Sequence, residues 1–385
     1  MLFRSKLNAL RGEDMKLFKK LLATSAMVAA IAGCSDSTTE EATTAAPVVA
    51  NDSIKVGFVY VSPTGDAGWT HSHDQARKYL EAQLGDKVET TYVESVPEGA
   101  DAERVIRNMA SNGHNLIFTT SFGYMNPTLK VAARFPDVKF EHASGYKQAE
   151  NVGSYFARPY QGRYLSGLIA GKMTKTNIIG YVAAFPIPEV VRGINAFTKG
   201  VREVNPEAIV KVVWVSTWFD PAKEREAAET LILQNADVLT QHTDSAAVIQ
   251  TAEAKGKYAI GYHSDMSEYG ANAHLTSTVH NWGPLYVAKA KAVLNGTWKK
   301  ENLWLGIAEG ATDLAPINDA VPADVKAMVA DKKAALKAGT MRVFKGPIND
   351  QSGVEKVSKD DSMTDGALLG FDWFIEGVSG TLPKS

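Results

Sequence analysis

The sequence predicts an α/β fold made of two lobes, each built on a mainly parallel sheet. Two observations carry this. Short β-type runs alternate with helical stretches along most of the chain, the pattern of βαβ units. That alternation also occurs as two successive series, from Ile54 and from Ile178. The chain has 385 residues, enough for two domains of ordinary size.

The first series opens with IKVGFVYV, a turn SPTGDAG and a helix WTHSHDQARKYL. In an open parallel sheet, ligands bind beyond the carboxyl ends of strands, where loops lead into helices. Trp69, His71 and His73 are therefore expected to face a crevice. KVETTYVES (87–95) and LIFTTS (116–121) read as the next strands. Between them ADAERVIRNMASN (100–112) has helical spacing. KFEHAS and NVGSYF add strands, and YQGRYLSGLIAGKM (160–173) reads as a buried helix of small residues.

The second series runs IIGYVAA (178–184), a helix from about 188 to 204, IVKVVWVS (209–216) and a helix from about 221 to 235. VLTQH (238–242), a helix from Ala246, YAIGYH (258–263), LTSTV (275–279) and a helix over 283–294 continue it. LWLGIA (303–308) is expected to cross back to the first lobe. The boundaries read as 53–175 for the first lobe, with a return segment near 304–350, and 176–303 for the second. Residues 351–385 form a tail that packs on the lobes through Phe371, Trp373 and Phe374.

Before the body lie two segments of another kind. Lys16, Lys19 and Lys20 precede the apolar LLATSAMVAAIAG, which is too short for a comfortable bilayer span. It ends in Ile31-Ala32-Gly33-Cys34, which resembles a bacterial lipobox. Residues 1–34 thus read as a lipoprotein signal peptide, with Met15 as an alternative start and Cys34 as the lipidated residue. Residues 35–52 are Ser/Thr/Ala/Glu-rich and read as a flexible tether. Cys34 is the single cysteine, so no intrachain disulfide or multi-thiolate metal site can form. The net charge of −2 gives no basic excess to attract nucleic acid.

Motifs for catalysis or cofactors are missing. There is no GxSxG elbow, no P-loop and no GxGxxG after a strand. No cofactor is expected. His71 and His73 invite a metal, but on a helix i and i+2 point about 200° apart. Ser, His and Asp are all present, so a hydrolase remains an alternative. What stands out is aromatic residues just past the strands: Trp69, Phe122, Phe185 and Trp218. Polar groups share those positions: Asn126, Asp244, His263, Asp265 and His280. Together they suit a flat heteroaromatic ligand. Stacking on a ring contributes about 1–3 kcal/mol per base. In-plane bonds then select, since an unpaired buried polar group costs about 1–3 kcal/mol.

From about 54 to 350 the chain resembles the basic membrane protein family of ABC-transporter substrate-binding lipoproteins. The resemblance rests on GDAGWTHSHDQ, YLSGLIAGKM, IIGYVAAFPIPEVVRGINAFTKGVREVNP, WFDPAKEREAAETLI and IGYHSDMS. It implies a type I periplasmic-binding-protein fold with three crossovers and a cleft that closes on its ligand. It also implies a base sandwiched between two aromatics, here Trp69 and Trp218. Where nucleoside binders of the family carry acidic residues, this chain has Tyr60, Asn126 and His263, with Asp265 retained nearby. Where they carry a lysine it has His280. These departures suit a smaller neutral ligand, a purine base with adenine first. The expected ligand contacts are Trp69, His71, Phe122, Asn126, Phe185, Trp218, His263, Asp265 and His280. A nucleoside, a purine-processing hydrolase and a sensory receptor are the alternatives. A membrane permease with its ATPase is the implied partner, and the receptor is expected to be a periplasm-facing, lipid-anchored monomer.

Overall fold

In the first lobe, parallel strands buried on both faces read as near-continuous apolar runs, and the four central strands of a six-stranded sheet are of this kind, while its two edge strands are more exposed. A computed structural model describes residues 51–65 and 67–383, all within one unit, Val48–Ser385. The signal peptide, the lipidation of Cys34 and nearly all of the tether lie outside the described residues.

The chain begins with β1 (Ile54–Tyr60), α1 (Gly68–Leu84), β2 (Val88–Val93), α2 (Ala100–Ser111) and β3 (Leu116–Thr120). It continues with α3 (Met125–Ala132), β4 (Lys139–Ala143), β5 (Val152–Ala157) and α4 (Pro159–Met173). Next come β6 (Ile178–Ala183), α5 (Pro188–Val204), β7 (Ile209–Trp214), α6 (Pro221–Leu233) and β8 (Val238–His242). Then follow α7 (Ala247–Ala254), β9 (Tyr258–His263), β10 (His274–His280), α8 (Gly283–Leu294) and β11 (Asn302–Leu305). The last elements are β12 (Thr312–Leu314), α9 (Ala323–Lys337), β13 (Ile348–Asn349), β14 (Glu355–Val357), α10 (Asp365–Leu369) and β15 (Val378–Ser379).

The first sheet has the order β11-β5-β4-β3-β1-β2, and every pair in it is parallel. The second has the order β12-β10-β9-β8-β6-β7-β15, parallel except where β12 runs against β10. Both contain the doubly wound order 2-1-3-4-5, whose direction reverses between its first and third strands. The switch points are therefore β1/β3 in one lobe and β6/β8 in the other.

The lobe boundaries differ from those read in the sequence. Helix α4 packs on α5 and β10, so it belongs to the second lobe, and α8 packs on α1 and β1 in the first. Only β11 of the return segment joins the first sheet; β12 and α9 lie with the second lobe. Each crossover falls directly after a strand, after β5, β10 and β11. The helix that follows a strand thus covers the other sheet, which hydrophobic periodicity cannot reveal. The α4/α5 crossing depends on glycine: a Cβ at Gly167 would stand 2.1 Å from the Phe197 carbonyl oxygen, and one at Gly200 2.1 Å from that of Tyr164. The tail packs on the second lobe. Phe371 and Phe374 are buried in its core, and β15 extends its sheet beside β7.

Candidate functional site

The two switch points face each other, and a slot lies between them. It is narrow, with about 320 Å³ of empty space when the open solvent at its mouth is included. From the first lobe, α1 supplies Trp69, the turn after β3 supplies Ser121 and Phe122, and the turn after β4 supplies Ser144. From the second, α5 supplies Glu189 in its first turn, and the loop after β7 supplies Trp218. The end of β8 supplies His242 and Asp244, and the end of β9 supplies His263. Ser144, Ser216 and His263 have φ of 60°, 53° and 71°. Left-handed non-glycine backbone is uncommon, and such strain of about 1–3 kcal/mol each clusters at binding sites.

The two indoles are held in place. Trp69 is buried and donates Nε1 to the Thr120 carbonyl oxygen at 2.6 Å. Its ring meets His73 edge-on at 4.3 Å and His263 at 5.2 Å. Trp218 leans on Phe185 at 4.9 Å, and its carbonyl oxygen accepts from the Asp244 amide at 2.9 Å. Its own indole N–H is buried and has no partner.

The polar lining is dominated by uncharged groups. Burial holds His263 well below the ordinary imidazole range, with His280 next in effect. Burial lowers His242 as well, and brings His280 down to about 3, helped by the Arg163 guanidinium. That guanidinium sits 3.4 Å from the centre of the Tyr262 ring. His263 Nδ1 and His280 Nε2 are 3.0 Å apart, so one ring donates and the other accepts. On its other side, His263 Nε2 is 3.6 Å from Asp244 Oδ1. Asp244 is itself pushed well above the usual carboxylate range, by burial first and then by Glu224. His242 Nε2 stands 3.5 Å from Glu189 Oε1.

Of the residues singled out in the sequence, Trp69, Phe122, Trp218 and His263 line the slot. Phe185 backs Trp218, and His280 backs His263. His71 is half-exposed and its Nδ1 bonds the Gly65 carbonyl oxygen at 2.9 Å. Asn126 is exposed and accepts from Lys147 at 3.2 Å. Asp265 is exposed and its carboxylate accepts from the Ser267 amide at 2.9 Å. Neither of these last two reaches the slot. His73 does not face the crevice: helical rotation carries it into the core, stacked on Trp282 at 5.0 Å and bonded to the Tyr286 hydroxyl at 2.5 Å. Sequence reasoning missed Glu189 and His242, and left Asp244 unassigned. Their signal was positional, since each falls just past a strand at a switch point. Among the described residues no His/Cys/Asp/Glu group could hold a metal, and no helix is long and apolar enough to cross a membrane.

A family model described as ABC transporter substrate-binding protein PnrA-like matches residues 53–341. The chain belongs to this family. It is an ABC-transporter substrate-binding protein, of a kind that captures a small molecule outside the cytoplasm for a membrane permease. The chain is 52% identical over 335 residues to a purine-binding protein of Brucella abortus, covering 87% of this chain and 95% of that one. It is 39% identical over 333 residues to a putative ABC transporter glucose-binding protein of Haloferax volcanii, covering 86% and 82%. Its fold resembles an ABC transporter solute-binding protein from Aeropyrum pernix K1, with a TM-score of 0.66 over 76% of this chain and 94% of that one. At 20% identity that likeness carries the fold alone.

Proposed function

We propose that this substrate-binding protein captures a purine nucleobase, adenine first, between Trp69 and Trp218. The observation that carries the reading is that these two indoles, one from each lobe, line a single narrow slot. The name of the Brucella relative supports it. So does the chemistry of the lining. Burial pushes the Asp244 carboxyl toward its protonated form, in which it can present one donor and one acceptor. That pair matches a base edge carrying an amine N–H beside a ring nitrogen, and disfavours an edge with two donors, such as that of guanine. Neutral His263 offers a further in-plane contact.

Binding joins the lobes. Ser62 Oγ donates to Asp244 Oδ2 at 3.2 Å, and the Gly68 amide donates to Ser264 Oγ at 3.0 Å, both across the cleft. The closed form is what a permease with its ATPase would receive. Cys34 would anchor the receptor to the membrane through lipid. The protein returns its ligand unchanged and performs no catalysis.

The test is to denature freshly purified protein, identify any released small molecule by mass spectrometry, and titrate adenine, nucleosides and glucose by calorimetry. Adenine recovered and bound supports the reading. A ribosylated purine, or glucose bound in preference, overturns it. Turnover of nucleosides on incubation would move the protein to the hydrolases.

A further inference from the structure

The slot does not end at Phe122. Phe122, Ser144 and Glu189 also border a second chamber, with about 1380 Å³ of empty space when open solvent is included. The chamber has three walls: Phe156 and Trp304 of the first lobe, Ile187 and Arg192 of the second, and the C-terminal tail through α10. The tail lies beyond residues 53–341, so one wall is built by a segment outside the stretch the family model matches.

The cations at and beside these walls are largely engaged. Arg158 grips the Asp365 carboxylate with two bonds, at 2.8 and 2.6 Å. Arg192 is buried, donates Nη1 to the Leu368 carbonyl oxygen at 2.6 Å and lies 5.0 Å from the centre of the Trp304 ring. A phosphate or carboxylate reaching Arg158 would have to break its pair with Asp365, while the buried Arg192 Nε, which has no partner among the described residues, leaves one polar point on an otherwise apolar wall. What remains to be covered is mainly apolar: Phe122, Phe156, Ile187, Trp304 and Leu369. Removing such surface from water is favourable only against an apolar occupant. A planar ring held in the slot can project a substituent directly into this space, because the two compartments share walls.

We infer that the chamber receives an apolar or aromatic substituent of the bound ring, so the ligands of this protein include N-substituted purines as well as the bare base. The inference rests on the base reading above and extends it. Gly366 offers a way to close the chamber from the tail side. A Cβ there meets nothing nearer than Thr364 Oγ1 at 3.9 Å, so Gly366→Phe can fill the space without displacing backbone.

The experiment is calorimetric titration of the protein with adenine, N6-benzyladenine and 9-benzyladenine. At least one benzylated base should bind within about tenfold of adenine, a difference of about 1.4 kcal/mol. Gly366→Phe, and separately Leu369→Arg, should weaken that ligand by about tenfold or more while adenine changes by less than about threefold. Adenine bound with both benzylated bases excluded overturns this inference and leaves the base reading standing. Loss of both ligands to the same extent in both variants also overturns it. Failure of all three bases to bind sinks the base reading and this inference together.

Discussion

Trp218 and Asp244 are tied to each other by a backbone bond, yet they should fail in different ways. Trp218 offers a ring face, so Trp218→Ala should weaken adenine by about 1–3 kcal/mol, as base stacking does elsewhere; unchanged affinity in a titration would remove it from the site. Burial pushes the Asp244 carboxyl toward its neutral form, and asparagine reproduces the one donor and one acceptor of that form. Asp244→Asn should therefore shift affinity by under about 1 kcal/mol, whereas Asp244→Ala removes the carboxyl that the Trp69 amide and Ser62 bond across the cleft and costs about 1–3 kcal/mol. A large loss in the asparagine variant would mean that the ligand needs a charged carboxylate. His280 gives a pH test with a definite sign. Its folded pKa of about 3 lies below the ordinary imidazole value near 6.5. The folded state therefore resists binding a proton that the unfolded chain accepts. The stability this group contributes is present above about pH 6.5 and is lost as pH falls toward 3. His280→Gln removes that dependence, so its melting temperature relative to the native protein should rise as buffer pH drops from 7 to 4. A difference that stays flat would show that the fold does not lower the pKa of His280.

At the level of elements, the tail shows which contacts hold and which merely decorate. Phe371 and Phe374 are almost wholly buried in the second-lobe core, so Phe371→Ala should cost about 3–5 kcal/mol in a denaturant melt. The Arg158–Asp365 pair has a geometry as good as any in the chain, but Asp365 is 61% exposed. Solvent and salt screen it, so Asp365→Ala should cost no more than about 1 kcal/mol. Equal losses in the two variants would mean that the ion pair fastens the tail as firmly as the aromatic burial does. The same contrast explains what the sequence could and could not tell. Strands such as VLTQH and YAIGYH and helices such as 188–204 and 283–294 announced themselves, because period and flanking Pro or Gly are local properties. So did the aromatic rings Trp69, Phe122, Phe185 and Trp218 just past four of the strands. Which sheet a helix covers is decided by a crossover a few residues long, so α4 and α8 were given to the wrong lobes. Glu189 looked like an ordinary acidic residue in a helix's first turn. Only the approach of the opposite lobe makes it part of a site. His73 failed for the converse reason: two residues of helical rotation separate a cleft from a core.

For the whole molecule, the decisive question is whether the two lobes close around the ligand, and Gly68 is where that can be tested. It opens α1 with φ of 94° and packs against the other lobe, where a Cβ would stand 2.1 Å from the Asp244 carbonyl oxygen. Its amide bonds Ser264, and the adjacent Trp69 amide reaches the Asp244 carboxyl. The cleft thus closes by seating a helix N-terminus on a strand end, with Ser62 adding a bond to the same carboxyl. A methyl group at this contact acts as a wedge. It leaves both sheets and their cores untouched, and the strained backbone alone costs about 1–3 kcal/mol. Gly68→Ala should therefore fold and melt cooperatively, yet bind adenine more weakly, because the closed form pays for the overlap. Small-angle scattering gives the readout that separates closure from simple loss of contacts. The native protein should contract when adenine is added, by hinge closure of its lobes. At saturating ligand, Gly68→Ala should contract less. Full contraction in the variant, or none in the native protein, would mean that capture does not depend on bringing α1 against Asp244, and the two indoles would then have to hold the ring without closure.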